Sequence, residues 1–369
     1  MLKPIFNNSD RVYTAINYSA KLSTMLIILL LLSILATQTL LASEKSRELV
    51  ILNWSEYMDP AMTEAFEKKH NVKIKHVYFE SDDARDQILL QTEGRGFDLI
   101  LTNGITINIY RQRGWLQPLT SSKIPNRKHL ENRWTDAFPS SRDYGVAYFW
   151  GTLGIAYRKD LVSKPIVSWK QLFEPAEELR GKILMVKSSR DLIGMSLKAL
   201  GYSANSENPD ELSQAEDLLL KQKPYVASYG YITLDQSSSL VKGDIIAATV
   251  YGGDALNVAE HNENIVYVLP QEGGNIWIDY FTLSSYAKQP ELALEFINFI
   301  NQPEWAAKNA EELYLATPNI AARKLLSYEI LNDPVIYPNT ESLLRSETYN
   351  ILSPRAGRKR ATIFTKVVN

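Results

Sequence analysis

Leu49-Val50-Ile51-Leu52-Asn53-Trp54-Ser55-Glu56-Tyr57-Met58-Asp59-Pro60 decides how the rest of the chain is read. Four consecutive apolar residues bounded by polar ones read as a buried strand. Asp59 followed by Pro60 reads as an N-cap and first helical residue, with Met62, Ala65 and Phe66 on one apolar stripe. The turn between strand and helix therefore carries two aromatic rings and a carboxylate. Loops at strand ends are where α/β proteins place ligands, and rings beside an acid suit an organic cation.

Outward from this stretch, strand-like and helix-like segments alternate to about residue 300, the pattern of an α/β protein. Strands are expected at Val72–Phe79, Asp98–Leu101, 146–157, Ile183–Val186, Ile245–Tyr251, Ile265–Leu269 and Ile276–Phe281. Helices are expected over 82–92, after the polar turn Lys187–Arg190 through about Leu200, and over Ser213–Gln222, Pro290–Asn301 and Glu304–Tyr314. The strand at 146–157 has the composition of one passing between two domains. Arg355, Arg358, Lys359 and Arg360 read as a solvated helix end, with a docking patch as the sharper alternative.

Lys3, Arg11 and Lys21 precede the apolar run Met25–Leu35, so residues 1–43 read as a signal peptide with an uncertain cleavage site; an uncleaved anchor is the alternative. Removing three bases and one acid (Asp10) takes the formal charge from −2 to −4, against a nucleic-acid partner. The chain has no cysteine, which excludes disulfides, thiolate metal sites and a lipid-modified N-terminal Cys. Export without an anchoring Cys points to a periplasm. Roughly 325 residues remain, enough for two ordinary domains.

Little supports catalysis. His70, His76, His129 and His261 are scattered without metal-ligand spacing, and there is no GxSxG elbow or Walker A loop. No cofactor or metal is expected. Gly252-Gly253 and Gly273-Gly274 read as tight turns rather than anion cradles. Binding is better supported, because polar or aromatic loops recur at strand ends: 53–57, 102–105, 187–191, 251–254 and 277–280. Together Trp54, Tyr57, Tyr251 and Trp277, beside Glu56, Asp191, Asp254 and Asp279, describe an aromatic cage lined with acids. A flexible polyamine needs such a cage. An unpaired desolvated ammonium costs several kcal/mol, and a ring stacked on a cation contributes roughly 0.5–2 kcal/mol.

At these residues the chain resembles the periplasmic spermidine/putrescine-binding proteins, the type 2 solute-binding proteins of polyamine transporters. The matches run in order: NWSEY at 53–57, FWGTLGIAYR at 149–158, SWKQLF at 168–173, LKALGYSANSENP at 197–209, LPQEGGNIWID at 269–279 and TPNIAARKLLS at 317–327. The resemblance implies an α/β, two-lobed periplasmic binding protein (type 2) fold, with hinge strands and a ligand cleft between lobes. It implies an N-lobe of 44–154 plus about 279–322 and a C-lobe of 155–278 plus about 323–369. It implies that Trp54, Ser55, Glu56 and Tyr57 hold one end of the amine and Asp191 the other. Trp277 and Asp279 would hold the middle.

The departures lie in the other loops. Asn103 and Ile105 stand where the family carries Ser and Tyr, and Ser188 where it often has an acid. Asp191 replaces a Glu, Tyr251 a Trp, and a late Gln falls at Tyr349. One ammonium is then less well paired unless Asp254 supplies the replacement. The expected ligand set is Trp54, Ser55, Glu56, Tyr57, Asn103, Ser188, Asp191, Tyr251, Asp254, Trp277 and Asp279. The role the resemblance implies is delivery of a polyamine to the membrane permease of an ABC importer. The alternative is a polyamine-sensing subunit that docks on a membrane receptor controlling cyclic-di-GMP and biofilm formation.

Overall fold

In the computed structural model the described residues are 47–369. The signal peptide expected over 1–43 lies outside them. Leu49–His70 and Ile74–Asn369 form one compact unit. Of a second, smaller grouping only Arg47, Glu48 and Asn71–Lys73 are described, exposed except for Val72.

The opening stretch folds as read. Strand β1 (Arg47–Trp54) buries Leu49, Ile51 and Leu52 and hands over to helix α1 (Pro60–His70). Asp59 Oδ1 accepts the Ala61 N–H at 2.8 Å, and Met62 and Phe66 face the core. There follow β2 (Val72–Phe79), α2 (Asp82–Gln91), β3 (Leu99–Asn103), α3 (Gly104–Gln112) and the short β4 (Leu116–Gln117). The middle of the chain supplies β5 (Gly145–Arg158), β6 (Ile183–Met185), α4 (Ser189–Ala199), α5 (Pro209–Gln222) and β7 (Val226–Tyr229). After these come β8 (Ala247–Tyr251), α6 (Gly252–Ala259), β9 (Ile265–Val268) and β10 (Ile276–Ser284). Helices α7 (Pro290–Ile300), α8 (Pro303–Glu312) and α9 (Pro354–Val368) complete the main elements.

The strands hydrogen-bond in the order β2-β1-β3-β10-β5-β8-β6-β7, with β4 added to β10 and β9 to β5. The ladder turns on β5. Its first half, Gly145 to Thr152, pairs antiparallel with β10, and its second half, from Leu153 on, pairs with β8 and β9. The buried side chains follow the same switch. Leu52, Ile100, Trp134, Trp150 and Ile278 share one core, while Leu153, Ile155, Trp169, Ile183 and Leu219 share another.

Three expectations change. Gly252-Gly253 is not a tight turn: both residues open α6 directly after β8, and a Cβ on Gly253 would sit 2.7 Å from a Leu315 methyl carbon. The edge strand β7 carries the pattern of a half-exposed segment, with no apolar run to announce it. The basic C-terminal segment is not simply a solvated end. Arg360 is buried and donates to the Ala204 and Ser206 carbonyls at 2.8 Å, and Lys359 and Lys366 both pair with Glu216 on α5. Arg355 and Arg358 do remain exposed. Among the described residues no helix is long and apolar enough to cross a membrane.

Candidate functional site

The β1–α1 turn reverses through Glu56, whose φ of 51° lies in the left-handed region that bulky residues avoid. The reversal brings Tyr57 against β10, where its hydroxyl donates to Asp279 Oδ2 at 3.1 Å. Tyr57 is braced from behind. Its ring meets Tyr148 and Phe149 edge-on at 5.8 and 5.7 Å, and the Tyr148 hydroxyl donates to the Tyr57 carbonyl at 3.0 Å. Asn309 Nδ2 donates to that same hydroxyl at 2.8 Å, while Asn309 Oδ1 accepts the Asp59 N–H. Asp279 is 9 % exposed, sits at an irregularity in the β10–β5 register and lies opposite Asn103 of β3. Burial, reinforced by the charge of Asp82, pushes its carboxyl up to about 7 against the pull of Arg85 and Tyr57.

A second carboxylate is built in the same way from other elements. Asp191, in the first turn of α4, is buried and takes two phenol donors: Tyr349 to Oδ1 at 2.9 Å and Tyr251 to Oδ2 at 3.2 Å. Burial raises its pKa although the hydroxyls of Ser188, Tyr349 and Tyr251 favour the charged form. Gly194, one turn along α4, leaves room for the Tyr349 ring, since a Cβ there would meet the Tyr349 oxygen at 2.9 Å. The Tyr251 ring in turn meets Trp277 edge-on at 6.3 Å. Trp277 packs closely on β5, where a Cβ on Gly151 would come within 2.5 Å of its six-membered ring. Tyr349, Asp191, Tyr251 and Trp277 thus form a continuous line, and two residues along β10 stands Asp279 with Tyr57.

Asp254, in the first turn of α6, is half-buried, and burial pushes its carboxyl up to about 6. Asp82, Asp191 and Asp254 each stand at a helix start directly after a strand. Exposed N–H groups at such a terminus favour anions. Carboxylates placed there invert the sign and make the strand-end rim attractive to a cation. Among the described residues no group of three or more His, Cys, Asp or Glu side chains is arranged to hold a metal ion.

The remaining expected residues lie as follows. The Trp54 ring packs on Phe79 at 4.5 Å. Ser55 and Glu56 are exposed and line a pocket of about 540 Å³ with Tyr57, Thr63, Glu64, His76 and Tyr78. Among the described residues, no hydrogen bond or ring contact joins Trp54, Ser55 or Glu56 to the line from Tyr349 to Tyr57. Ser188 is the N-cap of α4, its hydroxyl accepting the Asp191 N–H at 3.3 Å. Asn103 caps α3 through Oδ1 and donates through Nδ2 to Asp82 at 3.0 Å.

Two groups facing this rim escaped sequence reasoning. Asp82 follows β2, and its charge acts on Asp279, Asp191, Tyr251 and Tyr231. Tyr231 follows β7, with Asp191, Asp82, Asp83 and Asp254 all acting on its phenol. Both sit at strand ends, so the rule that found the other loops would have found these had it been carried to the two edge strands of the sheet.

Residues 61–334 match the family of bacterial extracellular solute-binding proteins. A spermidine/putrescine-binding periplasmic protein of Escherichia coli (strain K12) is 31 % identical over 310 residues, covering 84 % of this chain and 88 % of its own. A norspermidine sensor of Vibrio cholerae is 29 % identical, covering 91 % and 93 %. Among solved structures, a putative spermidine/putrescine ABC transporter protein from Listeria monocytogenes superposes with a TM-score of 0.77 at 35 % identity, covering 87 % of this chain and 99 % of its own. The curled α/β sheet is that of the two-lobed periplasmic solute-binding proteins.

Proposed function

The chain belongs to the bacterial extracellular solute-binding proteins, and from that premise we propose that its solute is a polyamine of the putrescine, spermidine or norspermidine class. One observation carries this reading. Two buried carboxylates, Asp279 and Asp191, are each held by phenol donors at opposite ends of an aromatic line through Tyr251 and Trp277. An α,ω-diamine has the complementary form, with a charge at each end and methylenes between. Each desolvated ammonium needs its carboxylate, and the rings receive the methylenes and the cation faces. Burial raises both carboxyls, Asp279 to about 7, so a cation that pairs with them offsets the cost of holding their charge away from water.

In this reading the chain is exported to the periplasm by its N-terminal segment and closes its lobes on the amine. The lobes divide at about residues 154, 279 and 322, a partition supported by the change of partners within β5. The closed form then delivers its ligand to the membrane permease of an ABC importer. The second reading is a sensing subunit that carries the same ligand to a membrane signalling receptor. Similarity along nearly the whole chain to a norspermidine sensor favours keeping it.

Calorimetric titration with putrescine, spermidine, norspermidine and spermine tests the ligand. Saturable heat with at least one of them is expected, and no heat with any of the four overturns the polyamine reading. Gly151→Ala is expected to lift the Trp277 ring off β5. The same titration should then read an affinity weaker by roughly 0.5–2 kcal/mol, the worth of a ring stacked on a cation. Unchanged affinity would take Trp277 out of the site.

A further inference from the structure

We propose that Asp82 is a further ligand carboxylate of this site and that it selects for the number of charges on the amine, favouring triamines over diamines. The inference rests on the polyamine reading and deepens it. Asp82 opens α2 after the edge strand β2, and its side chain is 45 % exposed. Two contacts fix it. Oδ1 accepts from the Arg85 guanidinium at 2.6 Å, and Oδ2 accepts from Asn103 Nδ2 at 3.0 Å. Asn103 is the residue opposite Asp279 in the β3–β10 ladder, and directly paired residues in an antiparallel ladder lie about 4.5–5.5 Å apart. The amide therefore brings Asp82 beside the Asp279 end of the aromatic line.

The support beneath Asp82 is unusually complete. Arg85 is fully buried, and its guanidinium is shared among Asp82, Asp86 and the Tyr110 hydroxyl. Tyr110 itself donates to Asp86. Burial alone would lower the pKa of Arg85, but the charges of Asp82, Tyr110 and Asp86 outweigh it and hold the proton more tightly. An arginine without access to water, tied on three sides, is a rigid base for the one partner whose carboxylate is turned toward the rim.

Asp82 differs from the other acids in a way that assigns its role. Asp191 and Asp279 are buried carboxyls held by neutral phenols, and burial raises both, Asp279 to about 7. Asp82 is 45 % exposed and is held instead by a guanidinium and an amide, which fix the orientation of its carboxylate at the rim. A diamine has its two charges met at Asp279 and Asp191. The additional charge of a triamine needs another acid, and Ser188, where the resemblance led one to look for an acid, is an N-cap. Asn103 is then a positioning residue that aims Asp82 rather than a ligand contact.

Asp82→Asn, with Asp86→Asn as its partner variant, tests this by calorimetry with spermidine and putrescine. Asp86→Asn also removes a carboxylate from Arg85 but leaves the rim acid in place. In Asp82→Asn, spermidine affinity is expected to fall about tenfold or more, in the range of a partly buried charge pair, with putrescine changed less than about threefold. Asp86→Asn should leave both affinities within about twofold. Equal losses for the two amines, no loss for spermidine, or the same loss in Asp86→Asn would overturn the assignment. Circular dichroism melting confirms that both variants are folded. If the unaltered protein gives no heat with either amine, nor with norspermidine or spermine, it is the polyamine reading that has failed rather than the role of Asp82.

Discussion

Asp279→Asn is expected to weaken polyamine binding by about 2–5 kcal/mol while making the ligand-free protein more stable above neutral pH. The two effects have one cause. Asp279 is 9 % exposed, and burial with the nearby charge of Asp82 pushes its carboxyl up to about 7. In the unfolded chain the same group titrates near about 3.9. The folded protein therefore holds this proton more tightly than the unfolded one. The contribution favours folding at low pH, declines as pH rises from about 4 to about 7, and is absent above that. Keeping the carboxylate ionised in the ligand-free fold costs about 4 kcal/mol by the same linkage. Asparagine keeps the shape and an acceptor for Tyr57 without the charge. Denaturant melts at about pH 8, paired with calorimetry, check both halves. Unchanged affinity would remove Asp279 from the site. Weaker binding together with lower stability at every pH would make it a packing residue.

The second large effect is on pH. A bound ammonium requires the Asp279 carboxylate, and below about 7 the free protein carries a proton there. Binding must then displace that proton, so affinity is full above about pH 7 and falls as pH drops. From about pH 8 to about pH 5.5 the loss from this group is roughly thirtyfold, about tenfold for each unit below its pKa. Asp254, pushed up to about 6 by burial, steepens the fall below that value if the ligand reaches it. Calorimetry in buffers of different ionisation enthalpy should count close to one proton released per amine bound near pH 6. Affinity flat from pH 8 to pH 5.5, with no buffer dependence, would show that the ligand does not engage Asp279.

Most of the fold was legible because its signals are local. An apolar run ending in Asp59-Pro60, a glycine- and aromatic-rich stretch through β5, and Trp277 to Tyr280 after a double glycine each declare an element from their own residues. The strand β7 did not, since Val-Ala-Ser-Tyr at an exposed edge has no apolar periodicity. Candidate site residues divide on the same line. Tyr57 and Asp279 are prominent in their own segments, yet the bond between them spans 222 positions and could only be found in three dimensions. Tyr349 reaches Asp191 across 158 positions, and only the family resemblance pointed to it. Asn103 and Ser188, expected as ligand residues where the chain departs from the family pattern, also serve as helix caps, a role their own segments did not declare. Asp82 fell at the start of the helix expected over 82–92, and its bond with Asn103 spans 21 positions and shows only in three dimensions.

The seating of Trp277 on Gly151 makes the protein its own optical gauge. The indole rests on β5 one residue before the strand changes partners, and its Nε1 is buried with no hydrogen-bond partner among the described residues. Any twist of β5 there must slide the backbone beneath the chromophore and change the field around it. The part of the intrinsic emission that is lost in Trp277→Phe, set apart in this way from that of the other six tryptophans, should therefore follow lobe movement without an attached dye, and stopped-flow traces of it could separate amine arrival from the closing that follows.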